Sequence, residues 1–127
     1  MYELTVESEF CAAHALVIGG EREVVHGHNW HVTACIAGPA LDGDGLLCDF
    51  HQVEKVLGEV IGPFRNANLN STPPFDRENP TAENVARHIG VELSRRLGPT
   101  LAPSAGVAWV RVTEATGCAA TFRLANR

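Results

Sequence analysis

Residues 25–37, with the sequence VHGHNWHVTACIA, decide the fold of this chain. The stretch is rich in β-branched residues and is followed by turn-forming residues at 38–45 (GPALDGDG), which predicts a strand. Alternate side chains of a strand share a face, so His26, His28 and Trp30 would lie together and His31 would point away. The strand therefore carries two imidazoles on one face at its amino end.

Three further strands are predicted around this one. Residues 2–13 alternate in polarity and form the first strand. Residues 106–116 and 119–124 form the last two, and the Thr116-Gly117 turn joins them as a hairpin.

Two helices are predicted between these pairs of strands. Asp49 is a suitable N-cap for a helix whose apolar residues recur at helical spacing until Gly62-Pro63. Thr81 begins the second helix, whose apolar residues step every four positions to Gly98-Pro99. We expect a single α+β domain over residues 1–127, a four-stranded antiparallel sheet with two helices on one face (ββααββ). Its two open edges favour pairing in an oligomer.

Charge and hydropathy argue against polyanionic and membrane partners. The 127 residues include 10 Lys and Arg against 15 Asp and Glu, which gives a net charge of −5. Nucleic-acid and anionic-membrane binders usually carry a basic excess. No apolar run approaches the ~20 residues that span a bilayer, and the amino terminus lacks the features of a signal peptide. We therefore expect a cytoplasmic protein.

The four cysteines do not form a metal or redox motif. No two of them make a C-x-x-C pair, which argues against a cysteine zinc site or a thioredoxin motif. Because no export signal is evident, we expect reduced, buried thiols rather than two disulfides.

A histidine cluster is the main chemical signal. His14 ends the first strand, and a hairpin-like connection would place it beside His26 and His28. Three neutral imidazoles suit tetrahedral Zn²⁺ with an open fourth position, the pattern of a catalytic site. The same pattern also fits ordinary core or surface histidines, and Trp30 fits simple core packing.

Several segments together resemble the 6-pyruvoyl-tetrahydropterin synthase and 6-carboxy-tetrahydropterin synthase (queuosine pathway) family. The similarity follows the order of the chain and covers nearly all of it. Its segments are residues 12–14 (AAH), 26–32 (HGHNWHV), 45–50 (GLLCDF), 78–83 (ENPTAE) and 112–118 (VTEATGC).

The resemblance implies a fold, an assembly and a ligand set. The fold would be the tunnelling fold, in which three subunits join their sheets into a barrel and two trimers stack into a hexamer with sites between subunits. His14, His26 and His28 match the zinc ligands. Glu114 matches the acid that anchors the pterin, and Thr81 matches a position near the pterin pocket, although helix capping alone would explain it.

The chain departs from the family at the residues that move protons. Arg22 occupies the position of the usual cysteine, and Arg65 and Asn66 replace the usual Asp–His pair. Arginine stays protonated and cannot act as a base. Glu21 and Glu23 flank the cysteine position, and we take Glu23 as the candidate replacement base. A solvated loop charge is the alternative interpretation of both.

Three hypotheses follow. The first is a zinc-dependent pterin lyase acting on 7,8-dihydroneopterin triphosphate or a close relative. The second is a related enzyme with another pterin or purine-like substrate, recognised through Arg22 and Arg65. The third is a homologue that keeps zinc and pterin binding without turnover. All three imply Zn²⁺ and a homo-oligomer.

Overall fold

The computed structural model describes residues 1–101 and 103–124. Two long strands precede two helices, and a hairpin of two strands follows the helices. Two short strands lie between the long strands, and a third lies between the helices. In chain order the strands and α-helices are β1 (Tyr2–His14), β2 (Val17–Ile18), β3 (Glu21–Arg22), β4 (His26–Gly38), α1 (Phe50–Ile61), β5 (Ala67–Asn68), α2 (Ala82–Leu101), β6 (Gly106–Ala115) and β7 (Cys118–Arg123). Two short 3-10 helices, Gly62–Phe64 and Leu69–Ser71, flank β5.

The main sheet has the order β5-β1-β4-β6-β7. Its four long strands are antiparallel, and β1 and β4 pair continuously from Tyr2 opposite Gly38 to His14 opposite His26. This confirms the predicted α+β fold class and the antiparallel arrangement of the four main strands. The tight turn before β7 has Gly117 at φ 83°, a backbone conformation that glycine adopts without steric cost.

Two features of the sheet were not predicted. The sheet has a fifth strand, β5, whose two residues pair in parallel with Ala12 and Ala13 of β1. The stretch from Gly19 to Val24 contributes β3, which pairs with β2 in a second, two-stranded sheet. Neither was predictable from periodicity, because two-residue strands are too short to show an alternating pattern.

Both predicted helices form, with one error at a boundary. The Asp49 carboxylate accepts a hydrogen bond from the His51 amide at 2.9 Å and caps α1. Helix α2 does not end at Gly98-Pro99 but continues to Leu101. The Thr100 hydroxyl donates to the Leu97 carbonyl at 2.8 Å, and Leu101 is buried in the core, so the extra turn is stabilised despite the proline.

The hydrophobic core lies between one face of the sheet and the two helices. Trp30, Val32, Ala34 and Ile36 alternate along β4 and are all fully buried on this inner face. The opposite, outer face is polar, and there His31 lies 3.1 Å from the Glu9 carboxylate. The parity prediction for His31 is therefore confirmed.

A histidine of α2 lies at the edge of this core. The His88 ring packs edge-on against Phe64 and Phe75, with ring centroids 5.6 and 5.7 Å away. Burial lowers the pKa of His88, which favours the neutral imidazole.

All four cysteines are free, as expected for reduced thiols, but only Cys35 is fully buried. Burial was therefore wrongly expected for Cys11 and Cys118, which are exposed. Cys11 lies on the outer face of β1, and Cys118 follows the tight turn, so neither reaches the core.

Neither helix of the described ranges combines the length and the apolar content needed to cross a bilayer.

Candidate active site

Three histidines converge at the end of the β1–β4 pair. His14 is directly opposite His26, and His28 is opposite Ala12, two residues before His14. All three project from the inner face, because alternate residues of paired strands share a face. Their ring centroids lie 4.7 to 5.1 Å apart. The predicted histidine cluster therefore forms.

Backbone carbonyls orient two of these rings. His14 Nδ1 donates to the Pro80 carbonyl at 2.8 Å, and His26 Nδ1 donates to the Val24 carbonyl at 2.9 Å. Because a carbonyl can only accept, each Nδ1 carries the proton, and the Nε2 lone pair of each neutral ring is free. This is the arrangement by which outer hydrogen bonds orient metal-binding histidines.

The donor set fits a metal ion. One nitrogen from each of the three rings lies within 4.8 Å of the other two. His14 Nε2 and His28 Nε2 are buried, and neither has a hydrogen-bond partner in the described part of the chain. Burial lowers the pKa of His28, and the two neighbouring imidazoles add to that effect while Glu114 opposes it. The neutral form of His28, which a transition metal requires, is thus favoured.

Glu114 adds a carboxylate to the cluster. It belongs to β6, which pairs with β4, and its Oε2 lies 3.5 Å from His14 Nε2. Oε2 is buried and has no hydrogen-bond partner among residues 1–101 and 103–124. A buried carboxylate oxygen without a partner is costly unless a ligand donates to it.

Glu23 lies at the edge of the cluster, beside His26. Its Oε1 accepts a hydrogen bond from the Leu16 amide at 3.0 Å and lies 3.7 Å from His26 Nε2. The Glu23 amide also donates to the Leu16 carbonyl at 2.9 Å, which continues the pairing of β2 with β3. Glu21 is exposed on β3, so the two glutamates have different environments.

The Thr81 hydroxyl has a local structural role. Its Oγ1 accepts a hydrogen bond from the Asn84 amide at 3.0 Å and caps α2. Helix capping thus accounts for Thr81 in this chain, and its place near a pterin stays a prediction.

Three other titratable residues lie outside the cluster. His31 and Cys11 are on the outer face of the sheet, where the Cys11 thiol donates to Asn29 Oδ1 at 2.9 Å. His51 is exposed at the start of α1.

The residues at the expected proton-transfer positions lie apart from one another. Arg65 donates to the Glu9 carbonyl at 3.1 Å, and with Asn66 it lines a groove on the Cys11 side of β1. Arg22 lines a different cavity, of about 330 Å³, together with Arg77. Within one chain, Arg22 and Arg65 therefore line different surfaces, and their role in recognition stays a prediction.

Comparison with known proteins assigns the family. The family model described as 6-pyruvoyl tetrahydropterin synthase matches residues 3–125. The chain belongs to this family. The 6-carboxy-5,6,7,8-tetrahydropterin synthase of Bacillus subtilis (strain 168) is 32% identical over 94 residues, which are 69% of this chain and 62% of that relative. The match thus spans less than two thirds of the relative's length.

Solved structures of family members share the fold. A Caenorhabditis elegans 6-pyruvoyl tetrahydropterin synthase matches with a TM-score of 0.80 at 21% identity, over 98% of both chains. A Plasmodium vivax 6-pyruvoyltetrahydropterin synthase, in which alanine replaces a catalytic glutamate, matches with a TM-score of 0.79 at 23% identity. That match covers 95% of this chain and 96% of the other. The fold of the chain is therefore the tunnelling fold of the family.

Proposed function

We propose that the chain is a zinc-dependent pterin lyase of the 6-carboxy- or 6-pyruvoyl-tetrahydropterin synthase type, acting on 7,8-dihydroneopterin triphosphate or a close relative. The observation that carries the proposal is the convergence of three imidazole nitrogens within 4.8 Å of one another, in a member of this family. Beside them lies a buried Glu114 oxygen that has no hydrogen-bond partner among the described residues.

His14, His26 and His28 would hold the zinc ion. Bound there, zinc would act as a Lewis acid toward the hydroxyls of the substrate side chain. The carbonyls of Pro80 and Val24 keep His14 and His26 in the tautomer that offers Nε2. These two contacts support an ordered site, because the rings need no reorientation when the metal binds.

Glu114 would hold the pterin ring. The 2-amino-4-oxo edge of a pterin presents two parallel N–H donors, and a carboxylate accepts both. Glu114 Oε2 is buried without a described partner, so a ligand that donates to it would remove the cost of its desolvation.

Glu23 would be the base that replaces the family's cysteine. Its Oε1 is held by the Leu16 amide 3.7 Å from His26 Nε2, which brings the carboxylate to the edge of the histidine cluster. A carboxylate in such a position can accept a proton from a substrate carbon, whereas the guanidinium of Arg22 cannot. The catalytic glutamate of the Plasmodium vivax relative supports this choice of residue type.

The chain would work as a homo-oligomer. In the described ranges, β5 covers β1 only at Ala12 and Ala13, and β7 forms the other edge of the sheet, so both edges offer backbone groups for pairing. Pairing of these edges between copies would build trimers, and two trimers would form a hexamer. Light scattering on the purified chain would give the mass of six subunits.

A second candidate is a homologue that keeps zinc and pterin binding but acts on another substrate or has no turnover. The observation that favours it is that Arg22, Arg65 and Asn66 stand at the family's proton-transfer positions, and none of these side chains can act as a base.

Product analysis tests the two candidates. Zinc-loaded chain is incubated with 7,8-dihydroneopterin triphosphate, and the pterins are identified by mass spectrometry. We expect a 6-carboxy-, 6-pyruvoyl- or 6-hydroxymethyl-pterin.

Glu23→Gln should lower the rate by about 10²- to 10⁴-fold, the usual contribution of a general base. Glu21→Gln, which removes the same charge two residues away, should stay within about twofold of wild type because Glu21 is exposed. Unchanged substrate at full zinc occupancy would leave only the second candidate.

A further inference from the structure

Two asparagines hold the chain that leaves β1 after His14. Asn70 accepts from the Ala15 amide at 2.8 Å and donates to the Ala15 carbonyl at 2.9 Å. Asn79 accepts from the Val17 amide and donates to the Val17 carbonyl, both at 2.9 Å. Each side-chain amide thus pairs with a complete backbone residue, as a neighbouring strand would.

The residue between these two contacts is Leu16, which holds Glu23. The Leu16 amide donates to Glu23 Oε1, and the Leu16 carbonyl accepts from the Glu23 amide. Because the backbone is fixed on both sides of Leu16, the direction of its N–H bond is fixed as well. The hydrogen bond that this N–H donates holds the Glu23 carboxylate beside His26.

Helix α2 supports the Asn79 contact. Asn84, in the first turn of α2, donates from its side-chain amide to the Asn79 carbonyl at 2.8 Å. The next carbonyl along the chain, that of Pro80, accepts from His14 Nδ1. The segment that carries Asn79 is thereby tied to a helix on one side and to a proposed zinc ligand on the other.

We propose that Asn70 and Asn79 are positioning residues for Glu23, acting through the backbone of Leu16. The role in catalysis rests on the proposed function, in which Glu23 is the base. Neither asparagine needs to touch the substrate. Each one fixes the backbone donor that aims the carboxylate, and misplacing a reacting group by about 1 Å can cost on the order of 10²-fold in rate.

A double-mutant cycle tests the kinetic consequence. In the zinc-loaded, full-length chain we expect Asn79→Ala to lower kcat by about 10- to 100-fold while KM and zinc content stay near wild type. In a Glu23→Gln background the same substitution should have almost no further effect on kcat, because the carboxylate it positions is gone. Asn70→Ala should behave in the same way. Gln52→Ala, which removes an exposed amide from α1, is the matched control and should change nothing.

Amide NMR tests the positioning without turnover. The Leu16 amide proton donates to a carboxylate, so its resonance should move upfield in Glu23→Gln. It should move upfield in Asn79→Ala too, with no further movement in the double variant. If wild type forms no product, the proposed function fails and this measurement alone decides the role of the asparagines. A Leu16 resonance unchanged in both Asn70→Ala and Asn79→Ala would overturn the proposal. Equal losses of kcat from Asn79→Ala in both backgrounds would also overturn it.

Discussion

Replacing Glu114 by glutamine should weaken pterin binding without removing the metal. The substitution keeps the size of the side chain but exchanges one of two acceptor oxygens for an NH₂ donor. The carboxylate oxygen Oε2 is buried, lies 3.5 Å from His14 Nε2 and has no hydrogen-bond partner in the described ranges. The glutamine oxygen would accept a hydrogen bond from one pterin N–H. The glutamine NH₂ would face the other pterin N–H, so that two donors would meet.

The magnitude follows from the loss of one charge-assisted hydrogen bond. Such a bond contributes about 1.5 to 3 kcal/mol, and an unsatisfied donor is left in its place. At about 1.4 kcal/mol per tenfold change, the dissociation constant should rise by about 10- to 150-fold. The Glu114 side chain is 27% exposed, so water can offset part of the loss, which favours the lower half of this range.

The assay is calorimetric titration of the zinc-loaded chain with neopterin, whose ring carries the same 2-amino-4-oxo edge. Glu54→Gln, which changes an exposed carboxylate on α1, is the matched control and should bind like wild type. Zinc content is measured in every variant. If Glu114→Gln binds neopterin within twofold of wild type, or if Glu54→Gln loses as much affinity, Glu114 is not the anchor.

Three further outcomes are expected. His28→Ala should abolish stoichiometric zinc binding, measured by mass spectrometry of the metal. His31→Ala should keep one zinc per chain, because His31 faces away from the cluster. Equal zinc contents in the two variants would contradict the site. Burial lowers the pKa of His88 in the folded chain. As pH falls below the ordinary value of 6.5, this histidine is therefore protonated in the unfolded chain before it is protonated in the folded chain. The contribution of His88 to the free energy of unfolding should therefore be complete above about pH 6.5 and be lost as pH falls below that value. In urea denaturation, His88→Gln should lose less stability than wild type as pH falls. Parallel plots of stability against pH for the two proteins would refute this. Thr81→Ala should lower the free energy of unfolding by about 1 kcal/mol through loss of the α2 cap. Thr81→Ser, which keeps the hydroxyl, is the control. An unchanged midpoint of urea denaturation in Thr81→Ala would exclude the capping role.

The long strands and the histidine cluster could be predicted from sequence because they depend on short-range rules. Alternation along residues 25–37 put His26 and His28 on one face, and an antiparallel neighbour then placed His14 beside them. Parity alone also separated His31 from the cluster. Each inference needs only the two-residue period of a strand and one assumed pairing.

The contacts that organise the cluster could not be predicted in the same way. Asn70 reaches Ala15 across 55 positions of sequence and Asn79 reaches Val17 across 62, so no local pattern connects them. The orientation of Glu23 depends on the short pairing of β2 with β3, which periodicity does not show. The glycines at 19 and 20, which have positive φ at that turn, were the one local signal for it.

The end of α2 is the one helix boundary that local rules place wrongly in the described ranges. Gly98-Pro99 is a strong stop signal by local rules, yet α2 continues to Leu101. Burial of Leu101 against the core is a tertiary contribution, and it outweighs the local preference of the glycine and proline.

The most direct test of a zinc-dependent lyase is the rate of pterin product formation as zinc is returned to metal-stripped chain. With 7,8-dihydroneopterin triphosphate as substrate, we expect no product without metal and a rate that rises in proportion to zinc until one ion is bound per chain. A rate independent of zinc would contradict the metal-centred account. No product at full occupancy would contradict the lyase itself.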